Sequence, residues 1–246
     1  MPGRRAAPYA RSTRPRAAAA RSLPVVALPE GALPPALAWS AAGAYGLVLA
    51  SAARRAPWGR LREGEMQHVF FGAAVVLLFL WTIRGAVVPG LGVHFLGATV
   101  LTLMFGWRLA LVAMALALAG AGAYGLAGWK LLGVNGLLAT VLPVAVSQGV
   151  LRAVERWLPP HLFVYIFLAG FFGAALAMAA SVTAQLAVLV LAGGHGPAAL
   201  ADAYLPFLPL LMLPEAFLNG ALVTALVGMR PRWIWTFDDA RYLRGR

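Results

Sequence analysis

The sequence has no cysteine among its 246 residues, a single lysine, and only eight acidic residues against twenty basic ones. Without cysteine there can be no disulfide, iron–sulfur cluster or thiolate metal site, so any metal would have to be held by nitrogen, oxygen or methionine sulfur. Charge of either sign is scarce. Charged residues make up 11% of the chain, against roughly 25% in an ordinary soluble domain. Enzyme signatures are missing too: no Gly-x-Ser-x-Gly elbow, no His-Glu-x-x-His, no phosphate loop, and no Gly-x-Gly-x-x-Gly in a Rossmann setting. These absences predict a protein that is not an enzyme, and in any ATP-driven system the ATPase would be another chain.

What the chain does have is hydrocarbon: 61% of its residues are hydrophobic. Seven apolar runs are marked at about 35–53, 66–84, 90–107, 108–128, 134–158, 162–192 and 204–229, each long enough for a bilayer about 30 Å thick. They predict an all-α, polytopic integral membrane protein of about seven helices, because in lipid the backbone must satisfy its own hydrogen bonds. A barrel would need alternating strands, which stretches such as "ALVAMALALA" exclude. The third and fourth runs are separated only by "GWRLAL", so the turn at Gly106, Trp107 and Arg108 must be tight or re-entrant.

Nineteen of the twenty basic residues are arginine, and they fall in the N-terminal tail and between the runs, as topology signals do; they form no nucleic-acid-binding stripe. With seven spans and a cytoplasmic C-terminus, twelve arginines from Arg54 to Arg246 lie inside, while the outer loops keep only Arg84 and Lys130. The expected location is a bacterial inner membrane. Residues 1–27 read as a disordered Arg-rich tail, 28–232 as the transmembrane helical domain and 233–246 as a cytoplasmic C-terminal tail. Small residues at Gly170 and Ala174, and at Gly173 and Ala177, predict close helix packing.

Ionisable or amide side chains inside apolar runs are the candidate functional residues, because burying them is costly. His94 heads the third run behind Pro89, Gly90 and Gly92, which let the backbone leave the helix and turn carbonyls toward an ion; the alternative is a polar cap at the membrane surface. Glu215 lies near the middle of the last run behind Pro214, with Asn219 one turn on and on the same face. It is either part of a site or bonded to a neighbouring helix. Asn135, between Gly133 and Gly136, could present an amide oxygen or close a loop. Glu30, in "LPEGALPP", precedes the first span. His68 and His161 stand near span ends, where interface packing competes with a ligand role, and His195 lies in a Gly-rich outer loop.

In order, Leu28-Pro29-Glu30-Gly31, Gly92-Val93-His94-Phe95, Leu132-Gly133-Val134-Asn135 and Leu213-Pro214-Glu215-Ala216 resemble the motifs of the CbiM-like cobalt and nickel permeases, the substrate-specificity (S) components of energy-coupling-factor transporters. The resemblance covers most of residues 28–232. It implies the CbiM-like S-component bundle, with Co²⁺ or Ni²⁺ as transported substrate and no permanently bound cofactor. The implied partners are the membrane, a transmembrane coupling protein and ATPase subunits. By this resemblance His94 is a metal ligand, and Asn135, Glu215, Asn219 and Glu30 form a supporting shell. Ala27 stands where the family carries its first histidine, and His68 is the residue that could replace it. The alternative is a membrane binding or assembly subunit that keeps the fold without the metal site.

Overall fold

A computed structural model of the protein describes residues 23–24, 33–62, 64–83, 85–88, 91–93, 95–125, 128–192 and 197–242. Helices α1 (Pro35–Arg54), α2 (Trp58–Leu61) and α3 (Met66–Thr82) are followed by an extended segment and by α4 (Ala98–Ala123). Then come α5 (Trp129–Trp157), α6 (Leu162–Leu191), α7 (Pro197–Tyr204), α8 (Leu205–Met229) and a last turn, α9 (Asp239–Tyr242). Helices α1, α4, α5, α6 and α8 are long and apolar enough to cross a membrane, and α3 is a shorter apolar helix. This is an all-α, multi-pass membrane protein. Its exterior is apolar, with Trp39 76% and Phe79 70% exposed, while Thr99, Ser147, Gln185, Glu215 and Asn219 are buried within the bundle. Such an arrangement suits a hydrocarbon solvent, which rewards buried polar contacts and tolerates exposed rings.

The third expected run is helical only in its second half. Where a helix from about residue 90 is expected, Leu91–Val93 (β3) is extended, paired in parallel with Leu23–Pro24 (β1) and antiparallel with Gly85–Val88 (β2). Glycine and proline around this stretch weaken a helix, and flanking β3 on both sides supplies the backbone bonds that an extended segment would otherwise lack. The helix begins at Ala98, after Gly97 in a left-handed conformation (φ 64).

The expected turn at Gly106 is present. Residues 98–123 are two helices that meet at a kink, where Gly106 takes φ 74 and ψ 158, a combination open almost only to glycine. The two halves run antiparallel. A β-carbon on Gly97 would lie 2.8 Å from Leu77 Cδ1 and one on Gly120 2.7 Å from Leu78 Cδ2, so both arms return to one level of α3. The bend between them lies elsewhere: the carbonyls of Leu103 and Met104 accept from Thr236 and Trp235 of the C-terminal segment. That segment also touches Arg60 through the Trp235 ring (5.1 Å) and Glu65 through the Trp233 indole. Residues 98–105 are therefore a half-helix descending from mid-bundle to the arginine-rich end, and 107–123 climb back. Among the described residues these two arms join α1, α3, α5, α6 and α8 in the apolar bundle, and the half-helix is too short to cross a membrane by itself.

Helix α5 widens to a π-helical turn over Leu137–Val141 just before Pro143, which relieves the clash of the proline ring with the preceding turn. Its glycines pack on α1. A β-carbon on Gly136 would sit 2.6 Å from the Tyr45 ring, and Gly133 abuts the backbone of Ala42. On α6, Ala174 and Ala177 are buried and Gly170 faces Val223 of α8, the close packing predicted from small residues.

Candidate functional site

The half-helix needs help at both ends. An eight-residue helix leaves its first N–H and last C=O groups unpaired, and in a membrane interior no water is at hand to bond them. Helix α8 supplies the acceptors at the upper end. Glu215 Oε2 accepts from Leu96 N (2.8 Å) and Oε1 from Gly97 N (2.8 Å). One turn on, Asn219 Oδ1 accepts from Val100 N (2.9 Å). Asn219 Nδ2 donates to Glu215 Oε1 and to the Glu215 carbonyl, both at 2.8 Å. Glu215 is 1% exposed and Asn219 is fully buried. Among the described residues each of these partners of the carboxyl group is a donor, and the group sits at the positive end of a helix dipole, where negative charge is favoured.

The C-terminal segment supplies the donors at the lower end. Trp235 N donates to Met104 O (2.9 Å), Thr236 N to Leu103 O (3.3 Å), and Thr236 Oγ1 to Leu103 O (2.8 Å). Tyr165 OH and Thr236 Oγ1 share a hydrogen bond of 2.6 Å. Arg241 ties the segment to α5 through Glu155, at 3.7 Å to the carboxylate and 3.1 Å to the carbonyl. Sequence reasoning did not single out this latch. Its one signal is that Trp233, Trp235 and Phe237 are aromatic in a stretch otherwise read as a tail.

The sequence candidates divide accordingly. Glu215 and Asn219 come together and hold the backbone at Leu96, Gly97 and Val100. His94 and Glu30 lie outside the described residues, as does His195. His68 is exposed near the start of α3, nine residues or about 13 Å along the helix from Leu77, the neighbour of Gly97. It lies at the lower mouth of a cavity of about 530 Å³ between α3, the half-helix and α8, beside Glu65 and Trp233. Asn135 is buried at the α1–α5 seam, between the two glycines that let those helices meet. His161 caps α6 by accepting from Phe163 N at 3.2 Å, the packing role expected of it. Among the described residues no three of His, Asp and Glu converge as a metal cluster would require.

The family model described as the cobalt uptake substrate-specific transmembrane region, CbiM, matches residues 27–233. No curated protein matches the chain.

Proposed function

The chain belongs to the CbiM family of cobalt-uptake transmembrane proteins, and from that premise we propose that it is the substrate-binding permease of an energy-coupling-factor transporter for a divalent transition metal ion, Co²⁺ or Ni²⁺. The observation that carries the reading is the anchoring of Leu96 and Gly97 by Glu215 within the bundle. His94, the one imidazole in the family-like motif, stands two residues before the anchored Leu96 in the sequence.

In this reading His94 captures the ion from the outer side, and neutral imidazole nitrogen is a suitable donor for Co²⁺ and Ni²⁺. Glu215 and Asn219 serve as the supporting shell, holding the segment and leaving coordination to others. Glu30 joins that shell on motif order alone, Asn135 stands apart from it at the α1–α5 seam, and His68, at the arginine-rich mouth, is the ligand of the release side. The protein lies in a bacterial inner membrane with its C-terminus in the cytoplasm, as the arginine distribution favours. A transmembrane coupling protein and ATPase subunits drive release, since the chain has no phosphate-binding loop.

A second reading, a binding or assembly subunit that keeps the fold without the metal site, is favoured by Ala27 at the position of the family's first histidine. Titration of the purified chain with Ni²⁺, Co²⁺, Cu²⁺ and Zn²⁺ separates the two. Transport predicts saturable binding of Co²⁺ or Ni²⁺ that His94→Ala weakens at least tenfold and His68→Ala weakens less. Wild-type binding no better than background would leave the second reading standing.

A further inference from the structure

The cavity between α3, the half-helix and α8 is walled almost entirely by apolar side chains of membrane-spanning elements, among them Val76, Val100 and Leu222. Val76 is 66% and Leu222 41% exposed, so the cavity opens sideways into hydrocarbon. Its lower mouth is closed by Glu65 and Trp233, whose carboxylate and indole N–H are 2.7 Å apart. Across that pair lies a second hollow of about 560 Å³, of different character, lined by Arg60, Arg232 and Trp235. Apolar groove and basic hollow are therefore contiguous, with an interfacial tryptophan at their junction.

The arginines at this end are in excess. Arg60, Arg62, Arg230 and Arg232 are exposed. Among the described residues the one ion pair within 4 Å is that of Arg241 with Glu155, and Glu65, which lines the hollow, accepts from Trp233. Two of the four arginines are positioned by aromatic rings, Arg60 over Trp235 at 5.1 Å and Arg230 over Trp233 at 5.8 Å.

We propose that this paired groove and hollow is a binding site for an anionic phospholipid of the leaflet at the arginine-rich end. One acyl chain lies along α3 and α8, and the phosphate is held by Arg60 and Arg232. Basic pockets between spans at the cytoplasmic face suit anionic head groups, and each nearby arginine favours them. Along its walls the groove offers a metal ion Asn219 as its only nitrogen or oxygen side chain, with His68 and Glu65 confined to the mouth, so its length suits a hydrocarbon chain. A second copy of the chain is disfavoured because parallel copies would set their arginine clusters at the same depth. The inference depends on the membrane fold and not on metal transport.

The test is native mass spectrometry of the full chain in detergent, titrated with palmitoyl-oleoyl phosphatidylglycerol, with phosphatidylcholine of the same chains, and with glycerol phosphate. The expected result is one retained phosphatidylglycerol, preferred over phosphatidylcholine by about tenfold or more, and no retention of glycerol phosphate. Arg60→Gln combined with Arg232→Gln should erase the head-group preference. Gly72→Leu should expel both lipids, because a β-carbon there meets nothing within 4 Å and the added side chain would fill the groove. Equal retention of the two lipids by the wild type would overturn the proposal. So would glycerol phosphate binding as well as the lipid, a lipid-free dimer, or indifference to the arginine substitutions. If Gly72→Leu does not fold, the wild-type comparison and the arginine variant decide the matter alone.

Discussion

At its upper end the half-helix 98–105 is held by two side chains of α8, Glu215 and Asn219, both buried. At its lower end it is held mainly by backbone N–H groups of Trp235 and Thr236. The task is the same at both ends, pairing orphan helix groups, but the means differ in their dependence on sequence. Backbone donors survive a change of side chain, whereas a buried carboxyl group that accepts three hydrogen bonds has no substitute. The upper end is therefore the more sensitive to mutation, and the lower end is sensitive to anything that moves the C-terminal segment as a whole.

Glu215→Ala is the sharpest test of that asymmetry. It would leave Leu96 N, Gly97 N and Asn219 Nδ2 without this acceptor, at about 1–3 kcal/mol for each group left buried and unpaired. Allowing for partial relaxation and for the second bond that Asn219 Nδ2 keeps, the expected loss is about 3–5 kcal/mol. Thermal melting of the detergent-solubilised protein would register it as the largest shift of the series. A smaller effect is expected at the bend. Gly106→Ala should cost about 1–3 kcal/mol from backbone strain alone, since a β-carbon there has nothing within 4 Å; a neutral result would mean that φ 74 is not maintained in the membrane. The smallest belongs to the lower end. Thr236→Val removes the hydroxyl shared with Leu103 and Tyr165 but keeps the N–H to Leu103 O, for about 0.5–1.5 kcal/mol. If Thr236→Val melted as low as Glu215→Ala, the contrast between the two ends would collapse.

Much of this was legible in the sequence. The run boundaries agree with α1, α3, α6 and α8 to within a few residues, because a bilayer makes length and hydropathy decisive. The turn at Gly106 was legible because so few residues separate two apolar runs. The pairing of Glu215 with Asn219 follows from a spacing of four on one helix. Their target could not be read. Leu96, Gly97 and Val100 take part through backbone N–H groups, which every non-proline residue carries, so no side-chain pattern marks them. Residues near 90–97 looked like the start of a helix because hydropathy does not distinguish an extended apolar segment, paired on both sides, from a helical one. The latch was read as a tail for a related reason: its donors are backbone groups, and its arginines and aspartates resemble solvated sequence.

The sequence by itself determined the solvent, the arginine-rich end and the polar residues that would have to be buried, because each is set by composition along a single segment. The tertiary structure decided which apolar stretch would not be a helix and which residues would complete its ends. It also decided that one groove would run from mid-bundle to a cluster of arginines. Those outcomes depend on N–H and C=O groups brought together from positions more than a hundred residues apart, and every residue in the chain except proline carries both of those groups.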